Sequence, residues 1–127
     1  MIRVAIADPD ESARASVRAL LEGINDIGLV LEEAFDGDST LALLRSKVDV
    51  LTLGLLMPDL QVEELIREIK EPHPSLRVLV VTALTTMDDA RRAFKAGASG
   101  FVVKTSLADG LLVAVRRVAS GGVYVSL

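Results

Sequence analysis

The chain has no cysteine and no tryptophan among its 127 residues. Disulfides, thiolate nucleophiles and thiolate metal sites are therefore excluded. Aromatic residues make up only 3% of the chain, so its packing is dominated by aliphatic side chains. The single histidine, His73, stands between two prolines in Glu-Pro-His-Pro-Ser, with nothing nearby to complete a metal or acid–base set, and is assigned no function. No segment approaches the roughly 18 apolar residues of a membrane helix. The apolar run in MIRVAIADPD is too short before its acids for a secretory signal. A soluble protein of the reducing cytoplasm is the expectation. Positive charge is also in short supply: 14 Lys and Arg against 18 Asp and Glu give a net charge of −4. Nucleic-acid binding rests on neutralising phosphates, so direct contact with nucleic acid is not expected of this domain.

What is present is a folded-domain composition, half hydrophobic and one quarter charged, long enough for one sizeable core. Ile2 to Ala7 is an apolar run closed by Asp-Pro-Asp, and reads as a buried strand. Ala13, Val17, Leu20 and Leu21 recur at helical spacing with Arg14 and Arg18 turned the other way, predicting a helix from about Asp10, its N-cap, to Gly23. Leu29 to Phe35 predicts a second strand, and Asp38 or Ser39 is placed to cap a helix carrying Leu41, Leu43 and Leu44. Val48 to Pro58 is a continuous apolar stretch suited to a central strand buried on both faces, with Gly54 at its tip. Val62, Leu65, Ile66 and Ile69 mark a third helix, Arg77 to Ala83 a fourth strand, and Thr86 to Ala96 a helix closed by Gly97. Ser99 to Val103 is the fifth strand, ending at Lys104. A last helix presents Leu107, Leu111, Val115 and Val118 on one face and Arg116 and Arg117 on the other, until Gly121 and Gly122 stop it.

Alternating strands and helices with short connections predict an α/β, doubly wound parallel sheet of five strands with five helices. In such sheets functional groups gather beyond the carboxyl ends of the strands, which here bring together Asp8, Gly54, Thr82 and Lys104. The set holds a carboxylate, a hydroxyl, an ammonium and an empty place.

Several stretches carry a family resemblance: IRVAIADPDESARASVRALLE, DVLTLGLLMP, RVLVVTA, AFKAGASGFVVK and VRRVASGGVYVS. Together they resemble a response-regulator receiver domain of the NarL/FixJ subfamily, over essentially the whole of residues 1–127. The resemblance implies a flavodoxin-like sheet with strand order 2-1-3-4-5, an order for which a member of this family is a standard example. It places the phosphoryl-accepting aspartate at Gly54, and the adjacent acids that help hold magnesium at Asp8 and Pro9. The nucleophile and half of the acidic pair are thus missing. Asp10 starts a helix and reads as a cap, which leaves Asp8 as a weak metal candidate, and no magnesium or other cofactor is expected. Thr82 and Lys104 match the hydroxyl and lysine that contact phosphoryl oxygens, and Phe101 matches the aromatic position that rotates on activation. The Asp-Gly expected after Met-Pro is Gln61-Val62, so that loop should differ in backbone, valine resisting positive φ. Lys104, lacking a phosphoryl partner, is expected to turn to Asp8.

The resemblance therefore implies a receiver that is not an enzyme and acts without aspartyl phosphorylation, through protein interaction and dimerisation in a transcriptional regulator. Two alternatives stand beside it: a sensor holding a small molecule or anion over Gly54, and a phosphoryl acceptor using Asp8 or Asp59. A DNA-binding helix-turn-helix of LuxR type is implied after Gly-Gly-Val-Tyr-Val-Ser, outside residues 1–127. Pairing of two copies through the first and last helices would bring Arg14, Arg18, Arg116 and Arg117 near the interface.

Overall fold

The computed structural model describes residues 1–83 and 86–126. The elements run β1 (Ile2–Ala7), α1 (Glu11–Leu21), β2 (Ile27–Ala34), α2 (Gly37–Leu43), β3 (Val50–Leu53), α3 (Val62–Lys70), β4 (Arg77–Thr82), α4 (Met87–Ala96), β5 (Gly100–Val103), α5 (Leu107–Ala119) and β6 (Tyr124–Ser126). A 3-10 turn, Lys104–Ser106, joins β5 to α5. All pairings are parallel, in the order β2-β1-β3-β4-β5-β6.

The two-residue period of the strands divides the core into two layers. Ala5 and Ala7, Leu51 and Leu53, Val78 and Val80, and Phe101 and Val103 face α2, α3 and α4. Val4 and Ile6, Val50, Leu79 and Val81, and Val102 face α1 and α5. Helix α3 illustrates how the pattern generates the packing. Val62, Leu65, Ile66 and Ile69 fall on one stripe, and all four are buried. Burying one such side chain contributes roughly 1.5–3 kcal/mol, so the stripe docks the helix although Gln61 gives it no side-chain cap.

The helices all begin at the carboxyl edge of the sheet, because each follows a strand and returns antiparallel to it. Their charges match that direction. Acids occupy the first turn of every one: Glu11, Asp38, Glu63 and Glu64, Asp88 and Asp89, and Asp109. Bases occupy the last turn of α1, α3, α4 and α5. Each placement complements the helix dipole.

Four expectations are corrected. The sheet has six strands among the described residues, not five, because Tyr124, Val125 and Ser126 pair in register with Gly100, Phe101 and Val102. Three residues behind a Gly-Gly pair carry no periodic signal. What seats them is Gly110, fourteen positions back in α5: a Cβ there would lie 2.8 Å from the Tyr124 hydroxyl oxygen, so the bare glycine lets the phenol lie close against the helix. Glycine inside a helix costs about 1 kcal/mol relative to alanine, and the seated tyrosine offsets that cost. The second correction concerns α2, whose cap is Asp36 rather than Asp38 or Ser39. The Asp36 carboxylate accepts from the Ser39 amide at 2.7 Å, and the Ser39 hydroxyl accepts from the Asp36 amide at 3.1 Å, a reciprocal capping box. The third is the central strand, which is confined to Val50–Leu53, although Val48, Leu55 and Met57 outside it are also buried. Strand β2 in turn starts earlier than the sequence pattern, at Ile27, which pairs with Ile2.

An ion-pair cluster ties α1 to β2. Arg14 and Arg18 both donate to the Glu33 carboxylate, at 3.2 Å and 2.7 Å. The Arg18 hydrogen bond, aided by Arg14, holds Glu33 below the usual carboxylate range. A depressed folded-state value means that this stabilisation is present above the unfolded value near ~4.3 and is lost as the pH falls through the depressed one. Replacing Glu33 with Gln should cost about 1 kcal/mol at neutral pH, read from urea unfolding. The wild-type and Glu33→Gln stabilities should converge as the pH is lowered below that range.

Candidate functional site

The carboxyl ends of β1, β3, β4 and β5 meet at one rim. Asp8 follows β1 directly and is 7% exposed. Each of its polar groups is engaged. Its amide donates to the Ala34 carbonyl at 3.0 Å, and its own carbonyl accepts from Arg14 Nη1 at 2.7 Å. Oδ1 accepts from the Asp10 amide at 2.9 Å, while Oδ2 stands 3.8 Å from the Lys104 ammonium. Lys104 opens the 3-10 turn after β5, and a third of its side chain remains exposed.

Gly54 follows β3, and its amide donates to the Ala7 carbonyl at 2.9 Å. A Cβ built on it would lie 2.6 Å from Asp8 Oδ2 and 2.7 Å from Asp8 Cγ, closer than real side chains approach. The place that looks empty in the sequence is filled by the Asp8 carboxylate. Strand order explains the reach. Lys104 and Asp8 leave strands separated by β3 and β4, and the missing side chain at Gly54 leaves the path between them open.

Thr82 ends β4 and is 4% exposed, with its own partner in the structure. Phe101 is fully buried in the layer under α2, α3 and α4, as a core ring. Pro9 is exposed and contributes no side-chain oxygen. Asp10 is the N-cap of α1, accepting from the Ser12 amide at 3.0 Å. A cavity of about 230 Å³ lies at this rim, with Leu55, Leu56 and Val81 supplying apolar walls and Asp8, Thr82 and Lys104 its polar groups.

The donor set does not suit a divalent cation. Magnesium demands a near-octahedral array of oxygens. Here one Asp8 oxygen is committed to an amide, the other faces an ammonium, and the Asp8 carbonyl is held by a guanidinium. Among the described residues no group of three Asp, Glu or His side chains could hold a metal.

Asp59 lies outside this arrangement. Its carboxylate accepts from the Gly37 amide at 2.7 Å and the Asp38 amide at 3.1 Å, at the start of α2. Those amides, Gly37 first, hold its carboxyl below the usual range. The Gln61-Val62 stretch takes ordinary extended backbone at Gln61 and enters α3 at Val62, and no residue other than glycine has positive φ among the described residues. His73 is a loop residue whose amide donates to the Ile69 carbonyl at 3.1 Å.

The sequence reading missed Arg14, which joins the Asp8 carbonyl to Glu33 and so locks the turn after β1. The signal was an acid inside the apolar run of the second strand. The other arginines of α1 and α5 are engaged within the chain as well: Arg18 by Glu33, Arg116 by Asp26 at 2.9 Å, and Arg117 over the Tyr124 ring, 5.4 Å from its centroid.

Comparison with known proteins agrees with this fold. The sequence profile of the response regulator receiver domain matches residues 4–116. The chain is 29% identical over 120 residues to the response regulator protein VraR of Staphylococcus aureus, covering 94% of this chain and 57% of VraR. It thus spans little more than half the length of that relative. It also resembles the crystal structure of a LuxR-family two-component response regulator from an Aurantimonas species, with a TM-score of 0.89, 28% identity, and coverage of 96% and 87% of the two chains. The isolated receiver domain of RcsB from Salmonella enterica serovar Typhimurium, solved in the presence of a beryllium fluoride phosphomimetic, gives a TM-score of 0.88 and 25% identity, with coverage of 98% and 93%.

The contact over Gly54 sets up a sign reversal. Gly54 does not have positive φ, so alanine fits its backbone. With Asp8 present, Gly54→Ala should cost about 1 kcal/mol or more, because the carboxylate must leave its amide and its ammonium. In an Asp8→Ala background the same substitution should be neutral or stabilising by roughly 0.4–1 kcal/mol, since only the unfolded-chain entropy term remains. A double-mutant cycle by chemical unfolding measures this coupling.

Proposed function

The chain belongs to the response regulator receiver family, and we propose that it is a receiver working without aspartyl phosphorylation, as an interaction module of a LuxR-type transcriptional regulator. The observation that carries this reading is the Asp8 carboxylate seated in the space of the absent Gly54 side chain and facing Lys104. Phosphoryl transfer to a carboxylate needs that nucleophile in line with phosphorus and a cation to offset the developing charge. Neither requirement is met by Asp8, Pro9 and Gly54. The ammonium and guanidinium around Asp8 take the part of a counter-ion, so the domain works without magnesium.

The output reading follows the family. A LuxR-type helix-turn-helix after residue 127 contacts DNA, while this acidic domain does not. Two copies pair through α1 and α5, which already pack beside each other on one face of the sheet. Val113 on α5, 46% exposed, offers an apolar contact there. The protein works in the cytoplasm, and among the described residues no helix is long and apolar enough to cross a membrane.

A second reading, a sensor of small anions, draws support from the cavity beside the partly exposed Lys104 ammonium. It ranks lower because Asp8 already occupies the place above Gly54. Phosphoryl acceptance at Asp59 ranks lower again, its carboxylate being bound to the amides that open α2.

Incubation with acetyl phosphate and magnesium should leave the intact mass of the protein unchanged. An added phosphoryl mass would overturn the proposal, and Asp8→Asn and Asp59→Asn variants would then locate the acceptor. Size-exclusion chromatography with light scattering should give a dimer whose population falls when Val113 is replaced by Glu; a monomer at high concentration removes the pairing.

A further inference from the structure

Strand β6 has an unusual economy of attachment. It pairs through only three residues, lies at the outer edge of the sheet, and leaves Val123 61% and Val125 49% exposed. One side chain turns inward. Tyr124 joins the core layer under α1 and α5, its hydroxyl lying against the bare Cα of Gly110 and its ring beneath the Arg117 guanidinium. Within the chain, Tyr124 makes no side-chain hydrogen bond among the described residues, so the ring is held by shape and by the cation above it.

The strand beneath depends on this attachment. Residues 100–103 of β5 are all buried, and among the described residues β6 is the strand that pairs with the outer edge of β5. Buried backbone groups that lose their partners are costly, so pairing with β6 adds to the hold that β4 has on β5. Ser126 pairs with Val102, two residues before Lys104, and both strands run toward the rim where Lys104 faces Asp8.

We infer that Tyr124 is a positioning residue: seated against Gly110, it holds β6 on β5 and, through β5, fixes Lys104 opposite Asp8. Because coupling between two sites is reciprocal, loosening the Asp8–Lys104 pair also loosens the seat of Tyr124. The inference is independent of whether the domain accepts a phosphoryl group.

The chain supplies its own reporter, since Tyr124 is its sole tyrosine and there is no tryptophan. Tyrosine emission of the 127-residue protein therefore comes from this position. Gly110→Ala, whose Cβ crowds the Tyr124 hydroxyl, should displace the phenol from its seat and raise acrylamide quenching of that emission at least twofold. Amide exchange should rise at least tenfold in residues 100–103 and 124–126, with β1 and β3 unchanged. Tyr124→Ala should give the same exchange pattern and displace the Lys104 side-chain NMR signals. Tyr124→Phe, which keeps the ring, should retain both β5 protection and the Lys104 signals. In the reverse direction, Lys104→Met should raise the quenching of Tyr124. Unchanged β5 protection in both Gly110→Ala and Tyr124→Ala, loss of protection spread evenly over every strand, or Tyr124 quenching indifferent to Lys104→Met would overturn the inference.

Discussion

The carboxyl edge of this domain is organised by one steric fact: the Asp8 carboxylate and a side chain at position 54 cannot share the same space. With glycine there, the acid leans over the end of β3 and meets an ammonium from a strand three places away in the sheet. A buried carboxylate is tolerated only when paired and hydrogen-bonded. Asp8 meets that condition through the Asp10 amide and Lys104, while Arg14 fixes its backbone. The glycine at position 54 and the placement of Asp8 beside Lys104 are therefore one arrangement.

Much of this was legible in the sequence, and the parts that were not share a physical cause. Continuous apolar runs such as Arg77–Thr82 and period-3.6 stripes such as Val62 to Ile69 declare themselves because burial requires them locally. The absence at Gly54 was equally plain. What fills it was not, since the position of Asp8 over Gly54 depends on a sheet neighbour forty-six residues away. Strand β6 was missed for a similar reason: its seat is a missing side chain at Gly110, and an absence in one helix does not announce a partner elsewhere. The Arg14, Arg18 and Glu33 cluster shows the same limit. The helix pattern places the arginines outward, but only the fold brings the β2 carboxylate beside them. The cap of α2 was misread by two or three residues because Asp36, Asp38 and Ser39 all suit the role, and the choice is made by Ser39 reaching back to the Asp36 amide.

The acidic first turns of the five helices carry a further consequence, a kinetic one. They gather negative charge at the pole where Asp8 and Lys104 lie, in a protein whose overall charge is already negative. A field of that sign slows the diffusional approach of small anions and speeds that of cations, and dissolved salt flattens it over about 8–10 Å. In a receiver served by magnesium, the metal would locally reverse this field at the moment of encounter. The positive charges beside Asp8 are parts of the chain, so at low ionic strength the field at this pole favours cationic or neutral visitors before any contact is made, and salt weakens that preference.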